Sequence, residues 1–434
     1  MRNLEQKLRN KTAVIGIIGL GYIGLPLALA FSEAGFRVLG FDIKQKKVDL
    51  VNQGQSYIVD ISGNRILSVV ANNLLEATTD KSRLKEVDAI CICVPTPLTK
   101  TKKPNLFYVI HESEEISKHL KPEQIVILES TTYPGTTREV VLPILERSGL
   151  QGGSDFYLAY SPERIDPGNK HYNVRNTPKL VGGLNSESTK LAELLYRHVS
   201  ESVIPVFSPE VAEMAKEFEN VFRIVNIALT NELAQLCERM DISVWEVIDA
   251  ASTKPFGYMP FYPGLGVGGH CIPIDPHYLA NKAREYDFHT RFIELAAEIN
   301  EQMPYYVGSR IMEALATRGK SLNGAKVLVL GVAYKKDVED TRESPSIKLI
   351  QHLLERGAQV SYNDPYVPEI QLPQATLTSV EINEECLSSM DCVVIATNHS
   401  CYTLEEIIAW SPLVFDTRGV TKGLKDENII RLGG

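Results

Sequence analysis

Residues 12–42 constrain the fold of this chain more than any other stretch. Residues 12–18 form an uncharged apolar run that reads as a buried parallel strand, and it leads straight into Gly19-Leu20-Gly21-Tyr22-Ile23-Gly24. Residues 25–34 are helix-forming and stop at Gly35, after which residues 36–41 read as a second strand closing on Asp42. A strand, a G-x-G-x-x-G turn, a helix and a second strand ending in an acid about 20 residues further on make the complete dinucleotide-binding unit, a far more specific signal than the glycines alone. Gly19 is expected to make the tight turn, Gly21 to admit a pyrophosphate to the backbone, and Gly24 to let helix and strand pack, with the phosphates at the helix N-terminus. Asp42 is expected to hold the adenine ribose hydroxyls. A carboxylate there repels a 2′-phosphate, so NAD is the favoured cofactor, while Lys44, Lys46 and Lys47 keep NADP open. Residues 13–31 are uncharged, yet their four glycines, Pro26 and strand-like first half argue against a membrane span.

The rest of the chain is long enough for more. With 434 residues it exceeds the ~250–300 at which a single core stops growing, so two or three domains are expected. A formal charge of −9 weighs against nucleic acid or acidic membranes as partners, and any anionic substrate must be held by local donors. The opening Met1-Arg2-Asn3-Leu4-Glu5-Gln6-Lys7 lacks the apolar core of a secretion signal. Seven cysteines without paired spacing point to a reducing, cytoplasmic compartment. Cys91 and Cys93 alternate along an apparent strand and read as core; Cys237, Cys386, Cys392 and Cys401 attract no role, and no metal site is expected.

Apolar runs at 88–94, 124–128, 156–159 and 203–207 extend the first sheet. Ser208-Pro209-Glu210 then reads as a helix start, and 211–240 has neither proline nor glycine and repeats its apolar residues at helical spacing. A second helical pattern covers 284–315, with a kink expected at Pro304. Beyond Ala325 the strand-like runs 326–330, 359–362, 392–396 and 413–416 alternate with helical stretches, a second α/β domain without its own G-x-G-x-x-G. The expected fold is α/β: two Rossmann-like doubly wound domains, 1–207 and 319–434, joined by a central helical domain, 208–318.

The chemistry concentrates in a few tracts. Gly264-Leu265-Gly266-Val267-Gly268-Gly269-His270-Cys271-Ile272-Pro273-Ile274-Asp275-Pro276 sets one thiol and one carboxylate behind a glycine-lined approach. Asp275-Pro276 reads as a helix cap and first-turn proline, and that helix's positive end would favour thiolate at Cys271. An inert buried thiol beside a capping acid is the plainer alternative. On the 211–240 helix, Glu213, Lys216 and Asn220 fall at i, i+3 and i+7 and share a face, which either aims an ammonium and an amide into a cleft or is simply solvated. Ser130-Thr131 and Ser161-Pro162-Glu163-Arg164 follow strand ends, where α/β sheets bind ligands and where ordinary turns also occur. Lys335 and Arg342, in a strand-to-helix loop, suit phosphate groups.

Taken together, Gly19-Leu20-Gly21-Tyr22-Ile23-Gly24, Ser130-Thr131, Ser161-Pro162-Glu163, Ala215-Lys216 with Asn220, Gly268-Gly269-His270-Cys271 with Asp275, and Tyr334-Lys335 with Asp340-Thr341-Arg342-Glu343-Ser344-Pro345 resemble the UDP-glucose/GDP-mannose dehydrogenase family. The resemblance runs from about Thr12 to beyond Arg418. It implies an N-terminal NAD domain, a central helical dimerisation domain forming a homodimer or higher homo-oligomer, a C-terminal UDP-sugar domain, and oxidation of a sugar 6-hydroxyl to a carboxylate with two NAD+ consumed. It makes Cys271 the nucleophile, with Lys216, Asn220 and Asp275 as its polar partners and Thr131 and Glu163 in water and proton handling. The implied cofactor set is Gly19, Gly21, Tyr22, Ile23, Gly24, Asp42, Pro95, Thr96, Thr131 and Arg342. The implied substrate set is Glu163, Arg164, Lys216, Asn220, Phe261, Gly264, Gly268, Tyr334 and Lys335. His270 is left out, because UDP-glucose dehydrogenases carry a small residue there.

Departures from the UDP-glucose pattern narrow the sugar. Those enzymes read Asn-Pro-Glu-Phe-Leu with a second glutamate shortly after, whereas this chain has Ser161-Pro162-Glu163-Arg164-Ile165-Asp166-Pro167. Their arginine upstream of the glycine loop is replaced by Phe256-Gly257-Tyr258-Met259-Pro260-Phe261-Tyr262-Pro263. That aromatic stretch looks like the N-acetylhexosamine branch and would accommodate an acetamido methyl better than a guanidinium does. The expected substrate is UDP-N-acetylglucosamine, for surface-polysaccharide synthesis, with UDP-glucose, UDP-N-acetylmannosamine and UDP-N-acetylgalactosamine as alternatives. A two-electron hydroxyacid-type dehydrogenase and a non-catalytic NAD-binding protein are the rival classes, and neither needs Cys271.

Overall fold

The structure is a computed structural model that describes residues 2–58, 61–99, 102–166, 169, 171–269, 272–424 and 426–434. His270 and Cys271 lie outside the described residues. The chain divides into two compact units, Met1–Glu219 with His277–Phe288, and Asn220–Pro276 with His289–Gly434.

Among the described residues the first unit is built on eight strands: β1 (Val14–Ile18), β2 (Arg37–Phe41), β3 (Leu75–Thr78), β4 (Ala89–Ile92), β5 (Ile125–Leu128), β6 (Tyr157–Tyr160), β7 (Lys179–Gly183) and β8 (Val203–Pro205). Their spatial order is β3-β2-β1-β4-β5-β6-β7-β8, a doubly wound sheet whose order reverses between β1 and β4. Because successive residues of a strand face opposite ways, Ile15, Ile17, Ile125 and Ile127 enter one core, and Ile18, Val126 and Leu128 the other. Both faces being buried explains why these strands read as continuous apolar runs. Between β1 and β2 lies α1 (Gly24–Glu33).

Two strands here escape the sequence pattern. β3 is short and half-exposed, and β7, Lys-Leu-Val-Gly-Gly, carries a lysine and two glycines. β7 also runs antiparallel to β6, pairing Ala159 with Gly183 and Tyr160 with Gly182, while every other pairing of this sheet is parallel.

The long helix α2 (Pro209–Arg239) begins at the expected proline. It is followed by α3 (Val244–Ser252), α4 (Asp275–Arg284) and α5 (Arg291–Thr317). The single helix expected over 284–315 is thereby corrected: α4 stops at Arg284, Asp287 takes a positive φ of 52°, and the next helix starts only at Arg291. Pro304 is accommodated inside α5. It has no N–H for the carbonyl of Asn300, and the backbone at Gly266 lies so near that carbonyl that a Cβ there would be 2.4 Å from it.

The second unit's sheet contains β9 (Lys326–Leu330), β10 (Gln359–Asn363), β13 (Cys392–Ile395), β14 (Val414–Asp416) and β15 (Ile429–Arg431), in the order β10-β9-β13-β14-β15. A hairpin of β11 (Glu369–Gln371) and β12 (Thr376–Thr378) is inserted after β10. Setting the hairpin aside, this is the 2-1-3-4-5 order of a doubly wound sheet, reversing between β9 and β13. The expected pair of Rossmann-like sheets with helices between them is therefore the observed architecture.

Candidate active site

In the first unit the ligand end of the sheet is the turn after β1. Gly19 has φ of 91°, and a Cβ there would lie 2.6 Å from the Cys93 carbonyl; at Gly24 a Cβ would lie 1.9 Å from the carbonyl of Gly19. Both are glycine because the protein leaves no room. Gly21 differs: a Cβ there meets nothing within 4 Å. That open side is where a pyrophosphate would approach, and no side chain caps the first N–H groups of α1 behind Ile23. Tyr22 is exposed beside the turn.

Asp42 follows β2, with one carboxylate oxygen accepting from Leu20 N at 3.1 Å and the other from Lys44 N at 2.9 Å, which fixes the acid beside the glycine turn. The Lys47 ammonium lies 3.3 Å from Asp42. These residues fit NAD, whose ribose hydroxyls a fixed carboxylate accepts. Across the switch point, Pro95 and Thr96 follow β4, and the Thr96 hydroxyl donates to the Thr131 carbonyl at 2.8 Å, tying together two of the expected cofactor residues. Tyr278, fully buried on α4, donates to the Thr96 carbonyl at 2.7 Å.

Glu163 follows β6. Its Oε1 accepts from the backbone N–H groups of Arg164 and Ile165, each at 2.7 Å. The Arg164 guanidinium is engaged by Glu219 at 2.7 Å and by the Pro178 carbonyl at 2.7 Å. On α2, Glu213 is buried and accepts from Gly135 N at 2.6 Å, Thr137 N at 2.9 Å and the Thr137 hydroxyl at 2.6 Å, fastening the helix to the loop that follows Thr131. Burial pushes the Glu213 carboxyl up to about 7, against those donors. One turn on, Lys216 is 8% exposed and has no hydrogen-bond or ion-pair partner among the described residues.

In the second unit, Asn220 Nδ2 donates to the carboxylate of Asp275 at the start of α4. Asp275 is 2% exposed. The glycine loop is anchored along its length: Gly264 N donates to Asn231 Oδ1 at 2.8 Å, and Gly269 N to the Arg342 carbonyl at 2.9 Å. Gly268 is glycine for a packing reason, since a Cβ would lie 2.6 Å from that of Tyr334. Tyr334 N in turn donates to the Asp340 carbonyl at 3.0 Å, with Lys335 next in this loop, and Arg342 forms an ion pair with the Asp340 carboxylate at 2.5 Å. At the second switch point, Asp364 accepts from Val332 N at 2.8 Å and Ala333 N at 2.9 Å and meets His399 Nε2 at 3.1 Å. Sequence reasoning missed this brace because its members are 31 to 35 residues apart. Phe261 packs edge-on against Phe222 at 5.7 Å, and Tyr262 stacks on Trp245 at 6.0 Å.

Comparison with known proteins divides the chain into three domains. The NAD binding domain of the UDP-glucose/GDP-mannose dehydrogenase family matches residues 13–200, its central domain 210–302, and its UDP binding domain 328–423. The chain belongs to this family. It is an NAD-dependent nucleotide-sugar dehydrogenase of the UDP-sugar 6-dehydrogenase kind. The chain is 37% identical over 393 residues to UDP-N-acetyl-D-glucosamine 6-dehydrogenase of Pseudomonas aeruginosa, covering 90% of this chain and 91% of that one. It is 34% identical over 419 residues to UDP-N-acetyl-D-mannosamine dehydrogenase of Methanococcus maripaludis strain C7, covering 94% and 92%. The solved UDP-D-ManNAc dehydrogenase from Pyrococcus horikoshii superposes with a TM-score of 0.89 at 33% identity, over 97% of this chain and 99% of that one. Among the described residues of this family member, no helix is long and apolar enough to cross a membrane.

Proposed function

We propose that this dehydrogenase oxidises C6 of a UDP-N-acetylhexosamine from alcohol to carboxylate, with UDP-N-acetylglucosamine as the first-assigned sugar, to supply a surface-polysaccharide precursor. The observation that carries the reading is Lys216, 8% exposed and without an ion-pair partner among the described residues, one helical turn before the Asn220 that holds Asp275. An ammonium without a protein counter-charge suits a site where negative charge develops on the reacting group.

In this reading a water held by Asp275 takes the hydroxyl proton and passes one of its own to that carboxylate, and Lys216 steadies the alkoxide. Held at the Gly19–Gly24 turn and Asp42, NAD+ would supply the hydride acceptor for each oxidation. The Cys271 thiolate adds to the aldehyde carbon to give a thiohemiacetal, and the second oxidation leaves a thioester. Water then attacks the acyl carbon, Glu163 takes its proton, and the C–S bond breaks to release carboxylate and thiolate. Thr131 helps to place that water, Tyr334 and Lys335 hold the nucleotide sugar, and Gly264 lets it come close to the loop backbone, while Gly268 seats Tyr334.

The acetamido assignment rests on the aromatic wall. Phe261 and Tyr262 are braced by Phe222 and Trp245, so an apolar surface is presented from fixed positions. The relative from P. aeruginosa supports the gluco sugar; the relatives named for the manno sugar make UDP-N-acetylmannosamine the second candidate. Residues 1–207, 208–318 and 319–434 are assigned the NAD, catalytic-helical and UDP-sugar roles. Val211, Met214, Phe218, Phe222, Leu229 and Leu236 are all exposed along α2, an apolar stripe that we assign to a homodimer.

The test is a panel of UDP- and GDP-sugars assayed for NADH and for carboxylate product. UDP-N-acetylglucosamine should exceed UDP-glucose in kcat/KM by ~10–200-fold, the range a buried methyl can supply, with two NADH per acid formed. One NADH per product would replace this mechanism with a two-electron oxidation. A preference for UDP-glucose would remove the acetamido pocket and leave the dehydrogenase standing.

A further inference from the structure

The reversal of β7 brings a lysine to the ligand end of the first sheet. Continuing the antiparallel register of Tyr160 with Gly182 past the end of β6 sets Lys179, the first residue of β7, alongside Glu163. A parallel strand would have put that residue at the opposite end. The Lys179 ammonium lies 2.6 Å from Glu129 Oε2 and 3.4 Å from Glu163 Oε2. It is also 5.2 Å from the centre of the Tyr196 ring, whose hydroxyl donates to the other oxygen of Glu129. Lys179 is 7% exposed and Glu129 fully buried. Two carboxylates thus share one ammonium, and the proton-handling glutamate of the proposed mechanism is one of them.

We propose that Lys179 is a positioning residue for thioester hydrolysis: it is the counter-cation that fixes Glu163 through Oε2, while Glu129, bound to the same ammonium, sets how strongly it does so. This rests on the reading of Glu163 as the hydrolytic base. Only the ionised carboxylate can take the proton of the attacking water, and a buried carboxylate without a cation protonates instead. Burial alone would lower the pKa of Lys179, but Glu129 and Glu163 outweigh it and hold it above its ordinary value, so the ammonium persists. The other titratable groups about the pair are Tyr196, Cys91 and Cys93, all pushed well above their ordinary values by burial and therefore neutral. The neighbouring Arg164 guanidinium is engaged by Glu219.

The test follows hydrolysis of the acyl-enzyme in single turnover, with NAD+ and UDP-N-acetylglucosamine, or whichever UDP-sugar of the panel the wild type oxidises, read by rapid quench and intact mass. Lys179→Met should move the acid limb of the hydrolysis rate upward by about a pH unit or more and slow the step roughly tenfold or more, so that the adduct accumulates. Lys179→Arg should restore it. Glu129→Gln should move the limb the other way, because the ammonium is then left to Glu163. A merely structural lysine would not give shifts of opposite sign. Should Lys179→Met fold poorly with Glu129 left charged, Lys179→Met/Glu129→Gln removes both charges and should keep the upward shift. A folded Lys179 variant with the wild-type pH profile overturns the inference. Glu163→Gln separates the two levels: unchanged hydrolysis there overturns the base assignment and the inference with it, whereas a stalled adduct there, with unshifted Lys179 variants, overturns the inference alone.

Discussion

Lys216 and Glu213 occupy neighbouring turns of one face of α2 and show how differently a buried charge can be treated. Glu213 is given three donors; Lys216 has no partner among the described residues. Lys216→Met should therefore cost ~10²–10⁴ in kcat while leaving the melting temperature of the unliganded protein equal or higher, since no ion pair is lost and the apolar stem is kept. A lower melting temperature would mean that the ammonium has a structural partner. For Glu213 the folded-state pKa of about 7 lies above the ordinary 4.5, so its stabilising contribution is complete below the lower value and is lost as pH rises toward the higher one. Scanning from about pH 5 to about pH 8, the wild type should lose melting temperature relative to Glu213→Gln, which cannot ionise. Parallel curves would remove the shifted carboxyl. Spacing along the helix showed that these residues share a face. It did not show which would be neutralised, because the donors to Glu213 come from a loop 76 to 78 residues away.

The glycine turn makes its prediction at the level of an element. Gly24→Ala drives a methyl into the Gly19 carbonyl and should lower the stability of the unliganded protein, whereas Gly21→Ala meets open space and should leave it unchanged. Both should weaken NAD, which calorimetry would measure; normal NAD affinity in a folded Gly21→Ala would move the pyrophosphate away from that side. This element was legible because strand, turn, helix and acid are contiguous, so each confirms the others. The break between α4 and α5 was not, since residues 285–290 contain neither proline nor glycine, and the positive φ at Asp287 comes without the glycine that usually announces one. The direction of β7 was equally hidden: an antiparallel neighbour is a property of pairing, and nothing in Lys-Leu-Val-Gly-Gly distinguishes it from a parallel strand.

Across the molecule, the second unit closes on Trp245. Its indole N–H donates to the Leu432 carbonyl at 2.9 Å, its ring stacks on Tyr262, and Gly419 leaves its face no space for a Cβ. Trp245→Ala should cost ~3–5 kcal/mol of stability, read by urea denaturation; a loss under about 1 kcal/mol would mean that the chain's last residues dock without it. The first unit closes differently. It is discontinuous, and its last segment, His277–Phe288, contributes Tyr278 to Thr96 and Lys282 to Glu139. A ribosome making this chain therefore cannot release a finished first unit when residue 219 emerges. The nascent sheet must wait, with the Thr96 carbonyl lacking its tyrosine, until residue 288 has followed. At about 5–20 residues per second that is a few seconds more to about a quarter of a minute, an interval in which an unfinished nucleotide fold is open to chaperone and protease alike.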